Sequence, residues 1–217
     1  MSPAAVVFDL DGVLVDSESL WDDVRRELTI ERGGEWKAEA QQRMMGMSSI
    51  EWSAYMRDDL RVPGTASEIS DAVVARMEER YRERLPVIDG APEVVRAIGE
   101  RWPLAIASSA NRPLIDLFLT ESGLAALFCV AVSSEEVARG KPAPDVYLRA
   151  AELLELDPAS CAAVEDSSNG LRAAAAAGFA VVAIPNREFP PAADALEGAD
   201  LVIGSIRELT PRLIASL

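Results

Sequence analysis

The chain contains no histidine. Every mechanism that needs an imidazole is thereby closed: Ser-His-Asp and Cys-His arrangements, and metal sites built on His ligands. Acid–base chemistry near neutral pH must rest on carboxylates, Lys, Tyr or Cys. Cysteine is almost as scarce, with two in 217 residues, Cys129 and Cys161. Two cysteines make neither a disulfide framework nor a Cys-rich zinc site. Each stands in an apolar, strand-like run and is expected as a buried, reduced thiol. Positive charge is also short: 21 Lys and Arg face 36 Asp and Glu, a formal net charge of −15. Such a surface repels phosphate backbones and anionic membranes, so neither nucleic acid nor a membrane is expected as a partner. No apolar run is long enough to span a bilayer, and residues 1–9 lack the basic start and long apolar core of a signal peptide. A cytoplasmic protein, monomeric by default, is the expectation.

What the chain does have is an ordinary globular balance, 49% hydrophobic and 26% charged residues, at a length that suits one domain or one domain with a smaller insert. Ala4–Leu10 (AAVVFDL) is a continuous apolar run, as expected of a strand buried on both faces of a parallel sheet. Similar runs recur at Leu104–Ala107, Phe128–Val132, Cys161–Val164, Ala180–Ile184 and Leu201–Ile203. Helical patterns separate them, at Asn111–Ser122, Pro144–Leu154 and Gly170–Ala177, the last stopped by Gly178. The alternation from about residue 88 onward predicts an open α/β sheet. Residues 16–87 differ. Leu20, Trp21, Val24 and Leu28 share one helical face, ended by Gly33-Gly34. Ile69, Val73, Met77, Tyr81 and Leu85 step by four along another, and Trp52, Tyr55, Met56 and Leu60 fit a third between them. This segment reads as a helical insert directly after the first strand. Residues 185–198 read as a Pro-rich loop with at most a short helical turn.

Chemistry-bearing residues gather at strand ends and helix starts. Asp9 and Asp11 close the first strand in FDLDGV, and Gly12 lets the chain turn. Ligands of a parallel α/β sheet bind beyond the carboxyl ends of its strands, and two carboxylates there repel unless a cation or a shared proton compensates. Alone, this motif is as readily a surface turn. Its companions make it more: Ser108 and Ser109 follow LAIA, Lys141 stands in GKPAPD before a helix, and Glu165 and Asp166 end CAAV in VEDSSNG. Four carboxylates form a hard-oxygen cation site suited to Mg²⁺. Ser108, the Ser109 backbone N–H and Lys141 can hold an anion. Phosphate together with Mg²⁺ meets both needs.

FDLDGVLVDSE, AIASS, GKPAPD and VEDSSNG, in that order, resemble the four motifs of the haloacid dehalogenase superfamily. The likeness runs over nearly the whole chain. It is nearest to the branch with a helical cap after the first motif, which includes β-phosphoglucomutase and many sugar-phosphate phosphatases. The resemblance implies a Rossmann-like, three-layer parallel-sheet core (residues 1–15 and 88–217) carrying an α-helical cap (residues 16–87). It implies Asp9 as nucleophile, and Asp11 as general acid/base that also lends its backbone carbonyl to Mg²⁺. Ser108 would hydrogen-bond the phosphoryl oxygens, Lys141 would neutralise charge, and Glu165 and Asp166 would hold Mg²⁺ directly or through water. Dehalogenases of the superfamily lack the second Asp, because a halide leaves without a proton. Asp11 thus favours phosphate esters, and a small phosphorylated metabolite is the expected partner.

Minor candidates remain. Asn111 either lines the site or caps a helix. Ser167 and Asn169 read as capping or neighbouring residues, and Asp145 as a structural residue of the Lys141 loop. The tryptophans and methionines of the insert read mostly as core. Gly46 matches a family loop that dips from the cap into the site, which brings Met45, Met47 and Ser48 in as weak substrate contacts. Two other readings stay open beside the phosphatase: a sugar-phosphate mutase and a phospho-accepting signalling receiver. Receivers are shorter and lack the insert. The β-phosphoglucomutase pattern carries a His early in the cap and an Arg after the cap loop. The corresponding positions here are Trp21 and Ser49, which favours hydrolysis unless Arg43, Arg76 or Arg80 substitutes.

Overall fold

A computed structural model of the chain describes residues 2–45, 47–187 and 189–217. Six strands, β1 (Ala5–Phe8), β2 (Leu104–Ser108), β3 (Phe128–Ser133), β4 (Cys161–Glu165), β5 (Ala180–Ala183) and β6 (Leu201–Val202), form one sheet in the order β3-β2-β1-β4-β5-β6. Every pairing is parallel. The apolar runs become strands because both faces of the sheet are covered. Val6, Phe8, Leu104 and Ile106 enter one core, while Ala5, Val7, Ala105 and Ala107 enter the other, as the two-residue period of a strand requires.

Helices α5 (Ala91–Gly99) and α6 (Arg112–Glu121) bury Val95, Ile98, Leu114, Ile115 and Phe118 on the first face. Helices α7 (Asp145–Leu153) and α8 (Ser168–Ala176) bury Val146, Tyr147, Ala150, Leu171 and Ala174 on the second. The second face is built mostly of alanine. The sequence pattern singled out no element between Val87 and Leu104. The structure places α5 there, opened by the left-handed Gly90 and by Pro92 in its first turn. Two short helices, α9 (Ala193–Glu197) and α10 (Pro211–Ile214), complete the C-terminal part.

Among the described residues, no strand lies between β1 and β2. Four helices fill that interval: α1 (Glu18–Glu31), α2 (Ala40–Met44), α3 (Ser49–Asp58) and α4 (Ala66–Glu83). The chain leaves and returns through adjacent strands of backbone. Asp16 N–H donates to Pro86 O (2.8 Å) and Ile88 N–H to Leu14 O (3.0 Å). Thr65 caps α4 with its side chain, and Glu68 answers with a bond from the Thr65 N–H. Trp52, Met56, Ile69, Met77 and Tyr81 pack into the same core as β1 and β2. No helix among the described residues is long and apolar enough to cross a membrane.

One expectation fails at Cys129, which is exposed, whereas Cys161 is buried. β3 is an edge strand with one neighbour, and its first half is only partly covered. Apolar neighbours in sequence do not bury a residue that has no layer over it.

Candidate active site

The strand order reverses between β1 and β4, which neighbour each other at the centre of the sheet while their next connections run to opposite sides. Crevices open at such a reversal, beyond the carboxyl ends of the strands. Asp9 follows β1, and Asp166 follows β4. The ladder itself ends at Phe8, two residues short of the expected run to Leu10, although the Asp9 N–H still donates to Val164 O at 2.9 Å. Gly12 then takes φ +77°, and a Cβ there would fall 1.9 Å from Asp166 Oδ2. Only glycine lets the β1 turn pass this close to the second acidic strand end. Gly170 does the same for β4, since a Cβ on it would lie 1.8 Å from Glu165 Oε1.

The floor of the crevice is a buried charge cluster. Asp9, Lys141, Glu165 and Asp166 are each 6% exposed or less. Lys141 Nζ lies 2.9 Å from Asp9 Oδ1 and 2.5 Å from Glu165 Oε1. Burial works against the Lys141 charge, but Asp9 and Glu165 outweigh it and hold the ammonium above its ordinary range. Glu165 is engaged at both oxygens. Oε1 also accepts from the Tyr147 hydroxyl (2.8 Å), and Oε2 accepts the Asp166 N–H (3.0 Å). Asp166 Oδ2 has no hydrogen-bond partner among the described residues. Burial pushes Asp166 well above the carboxylate range, helped by Glu165 and Asp9. Burial likewise pushes Asp9 up to about 8, against the pull of Lys141 and with the help of Glu165 and Asp11.

One ammonium therefore serves three buried carboxylates. Oxygens of Asp9, Glu165 and Asp166 all lie within 4.8 Å of one another. An unpartnered buried carboxylate oxygen beside two others is a donor set that fits a hard divalent cation. Since Glu165 is already spoken for, Asp9 and Asp166 are the oxygens freest to take it.

Asp11 faces the insert. Its Oδ1 accepts from the Ser17 hydroxyl, in a very short contact, and from Trp21 Nε1 at 3.2 Å. Burial raises its pKa; the hydrogen bonds from Ser17 and Trp21 and the charge of Arg25 oppose the rise. The insert thus holds the second carboxylate by its first helix. Above the floor, Trp21, Arg25, Met44, Met45, Met47 and Trp52 close the cleft. The space left for the centre of a water molecule is about 40 Å³, room for a few waters at most.

The remaining candidates divide. Ser109, Met45, Met47 and Ser167 line the cleft. Ser167 also caps α8, accepting the Gly170 N–H at 3.1 Å. Ser108 is fully buried at the end of β2 with its Oγ accepting the Ala110 N–H, and it is not among the cleft-lining residues. Asn111 precedes α6 but neither caps it by its side chain nor lines the cleft. Its amide donates to Glu135 Oε1 (2.7 Å), because Glu135 also holds the Arg112 N–H and draws the side chain away. Ser48 bonds Glu51 at the start of α3, Asn169 donates to Met45 O (3.3 Å), and Asp145 pairs with Arg139 (2.8 Å). Gly46 lies outside the described residues.

Trp21 and Trp52 are not simply core; they form the roof. Ser49 donates to Glu135 (2.9 Å) and is not among the cleft-lining residues. Arg43, Arg76 and Arg80 pair with Asp59, Glu31 and Glu27 outside it. The basic group that does enter is Arg25, accompanied by Glu18. The sequence carried a signal for both: they flank Trp21 at i−3 and i+4, so two charged residues stand on the apolar stripe of α1.

Residues 3–178 match the family model described as haloacid dehalogenase-like hydrolase. Hexitol phosphatase B of Escherichia coli K12 is 32% identical over 215 residues, covering 96% of this chain and 95% of that protein. The bifunctional riboflavin kinase/FMN phosphatase of Arabidopsis thaliana is 29% identical over 208 residues. The match covers 95% of this chain but 54% of that protein, so the chain spans about half its length. The CbbY protein of Rhodobacter sphaeroides, solved in complex with phosphate, superposes with a TM-score of 0.86 at 25% identity, covering 99% of this chain and 100% of that one. Motifs at the ends of β1, β2 and β4 and before α7, and a family match over residues 3–178, place this protein among the haloacid dehalogenase-like hydrolases.

Proposed function

We propose that the chain is a Mg²⁺-dependent phosphatase that hydrolyses a small phosphate monoester, a sugar or polyol phosphate, through an aspartyl-phosphate on Asp9. The observation that carries this is the Asp9 carboxylate, 2.9 Å from a buried ammonium at the floor of a closed cleft. The phosphatase names of two relatives support it.

Asp9 attacks phosphorus as the ester P–O bond breaks, and Asp11 gives its proton to the departing alkoxide. In the second half Asp11 takes a proton from water, whose oxygen attacks the acyl-phosphate. Inorganic phosphate leaves and Asp9 is restored. Lys141 offsets the charge that otherwise keeps a phosphate dianion from a carboxylate. Mg²⁺, held by Asp9, Asp166 and the Asp11 carbonyl, with Glu165 direct or through water, would supply further neutralisation of the phosphoryl oxygens.

Residues 16–87 act as a cap over residues 1–15 and 88–217. A cleft with about 40 Å³ of free space admits no sugar phosphate as it stands, so the cap opens to load and closes to exclude water during attack. Bending falls where the paired segments at 14–16 and 86–88 join the two parts. A mutase is the less favoured reading: Trp21 gives its N–H to Asp11 and Ser49 its hydroxyl to Glu135, so neither is free to hold a second phosphate.

Two measurements test this. First, with Asp9 at about 8 in the fold and 3.8 unfolded, the metal-free folded protein holds its proton where the unfolded chain has released it. Stability from this group is therefore lost as pH rises from about 4 to about 8. Mg²⁺ binds the folded form and should raise Tm by ~5 °C or more at saturating concentration, with a larger shift at pH 8 than at pH 5.5 because protons compete for the same oxygens. Thermal melts of wild type and Asp166→Asn decide it; an undiminished shift in the variant rules out the cluster as the metal site. Second, Asp11→Asn should slow hydrolysis of sugar phosphates by ~10²–10⁴-fold. It should cost far less on p-nitrophenyl phosphate, whose leaving group needs little protonation. Equal losses on both substrates would remove Asp11 from the proton's path.

A further inference from the structure

Arg25 is a buried cation that makes no direct ion pair among the described residues, although Glu18, Asp11 and Asp22 lie near enough to favour its charge. It lies on the inner face of α1, 5% exposed, with its guanidinium carbon 4.5 Å from the ring centre of Trp21 and 4.9 Å from that of Trp52. Its one hydrogen bond is a long one, from Nη1 to Gln41 Oε1 at 3.3 Å. Nε has no partner, and Arg25 forms no ion pair among the described residues. Glu18 is near enough to feel the charge, yet its Oε2 accepts from Gln41 Nε2 at 2.9 Å instead. Burial pushes Glu18 up to about 7 and pulls Arg25 down to about 10, which leaves Arg25 charged at neutral pH.

A buried, unpaired guanidinium is costly unless something completes it. Two indoles flank it, and its Nε is without a partner among the described residues, so the guanidinium keeps a donor for a ligand. Arg25 lines the same cleft as Asp9 and Lys141. A guanidinium fits a planar pair of acceptor oxygens, taken bidentately. A carboxylate offers two oxygens in one plane, which matches the planar fork of the guanidinium.

We infer that Arg25 is the specificity residue of the cap, and that it selects phosphate esters whose far end carries a carboxylate, that is, phosphorylated hydroxy acids. This rests on the reading of the floor as the phosphate site and moves the preferred ester from a neutral sugar or polyol phosphate to the corresponding phosphorylated acid. Gln41 holds Glu18 and Arg25 apart, which keeps the guanidinium edge available to the ligand. The aromatic pair shields the resulting ion pair from water, where it is worth more than at a surface.

The test uses esters that differ only at that end: 3-phosphoglycerate against glycerol 3-phosphate, and 6-phosphogluconate against sorbitol 6-phosphate. The wild-type protein should favour the acid of at least one pair in kcat/KM by ~10- to 100-fold, the range of a charge-assisted bond made to one member only. Arg25→Met keeps an apolar stem against the indoles and should bring that ratio to about one, while Arg25→Lys should retain part of it. A merely structural arginine would lower both members alike and leave the ratio intact; that result, or a wild-type ratio of one or less, overturns the inference. A larger gain for glucose 1,6-bisphosphate over glucose 6-phosphate than for either acid would overturn the carboxylate assignment. Calorimetric binding of the same pairs to Asp9→Asn protein separates the two readings. If no ester is turned over by wild type, yet the acids bind preferentially and Arg25→Met removes the preference, the phosphatase reading fails and Arg25 stands.

Discussion

Replacing Asp9 by asparagine should abolish phosphate release, a loss of ~10⁴-fold or more in kcat, while leaving the fold intact. The amide occupies the same volume but offers no anionic oxygen to phosphorus. Stability argues that the loss is chemical. Asp9 is buried and its carboxyl is pushed up to about 8, so in the metal-free protein its ionisation opposes folding. Asparagine removes that opposition. The variant should melt at the same temperature as wild type near pH 4 and at an equal or higher one as pH approaches 8. Lys141 keeps Glu165 at 2.5 Å, so the variant does not orphan the ammonium. Trapping with labelled substrate should mark Asp9 in the Asp11→Asn background and nothing in Asp9→Asn. Label on any other residue rules out Asp9 as the nucleophile.

Lys141→Met should be damaging in a different way, costing stability as well as turnover. Among the described residues, Lys141 is the only ammonium paired with Asp9 and Glu165, and all three are buried. Breaking a buried pair by removing one partner costs roughly 3–5 kcal/mol, because the other charge stays behind uncompensated. Asp9, already pushed up by burial, responds by holding its proton to higher pH, so the penalty has a direction in pH: mild near pH 5, where Asp9 keeps its proton, and severe at pH 8. Turnover should fall by ~10²-fold or more, as when a fixed positive group is withdrawn from a developing charge. Urea unfolding of metal-free wild type and variant at pH 5 and pH 8 measures the first effect. A variant equally stable at both would mean that the lysine does not compensate the cluster. Mg²⁺ should restore part of the stability at pH 8, since a divalent cation then has three carboxylates to itself.

Both predictions depend on residues that lie far apart along the chain, at positions 9, 141 and 165, yet were legible together. Each stands at the end of a strand or beside the start of a helix, and a parallel sheet delivers its strand ends to one edge. Strands buried on both faces are written as unbroken apolar runs, so AAVVFDL, LAIA, FCVAV, CAAV, AVVAI and LVI announced the six strands. The chemistry at their ends then followed from residue type. The helical character of the insert was equally local, carried by the four-residue spacing of Ile69, Val73, Met77 and Tyr81.

What the sequence could not fix was where side chains turn once distant elements pack. Ser108 and Asn111 sit beside the crevice in sequence, but the first is sealed beneath the Ala110 N–H and the second is captured by Glu135 from the loop after β3. Cys129 lies in a strand-like run but near the start of an edge strand whose first half is only partly covered. The tryptophans of the insert looked like core and became a roof, because the insert folds back over β1 and carries its apolar face onto the cleft as well as into itself. Arg25 illustrates the limit most clearly. On a helical wheel it is a charge misplaced on an apolar stripe; only the approach of α3, which brings Trp52 to within 6.0 Å of Trp21, turns it into a donor held in the roof of the site. Local sequence sets backbone state and residue chemistry, since both depend on near neighbours. The direction a functional group faces is decided by contacts between segments that only the folded chain brings together.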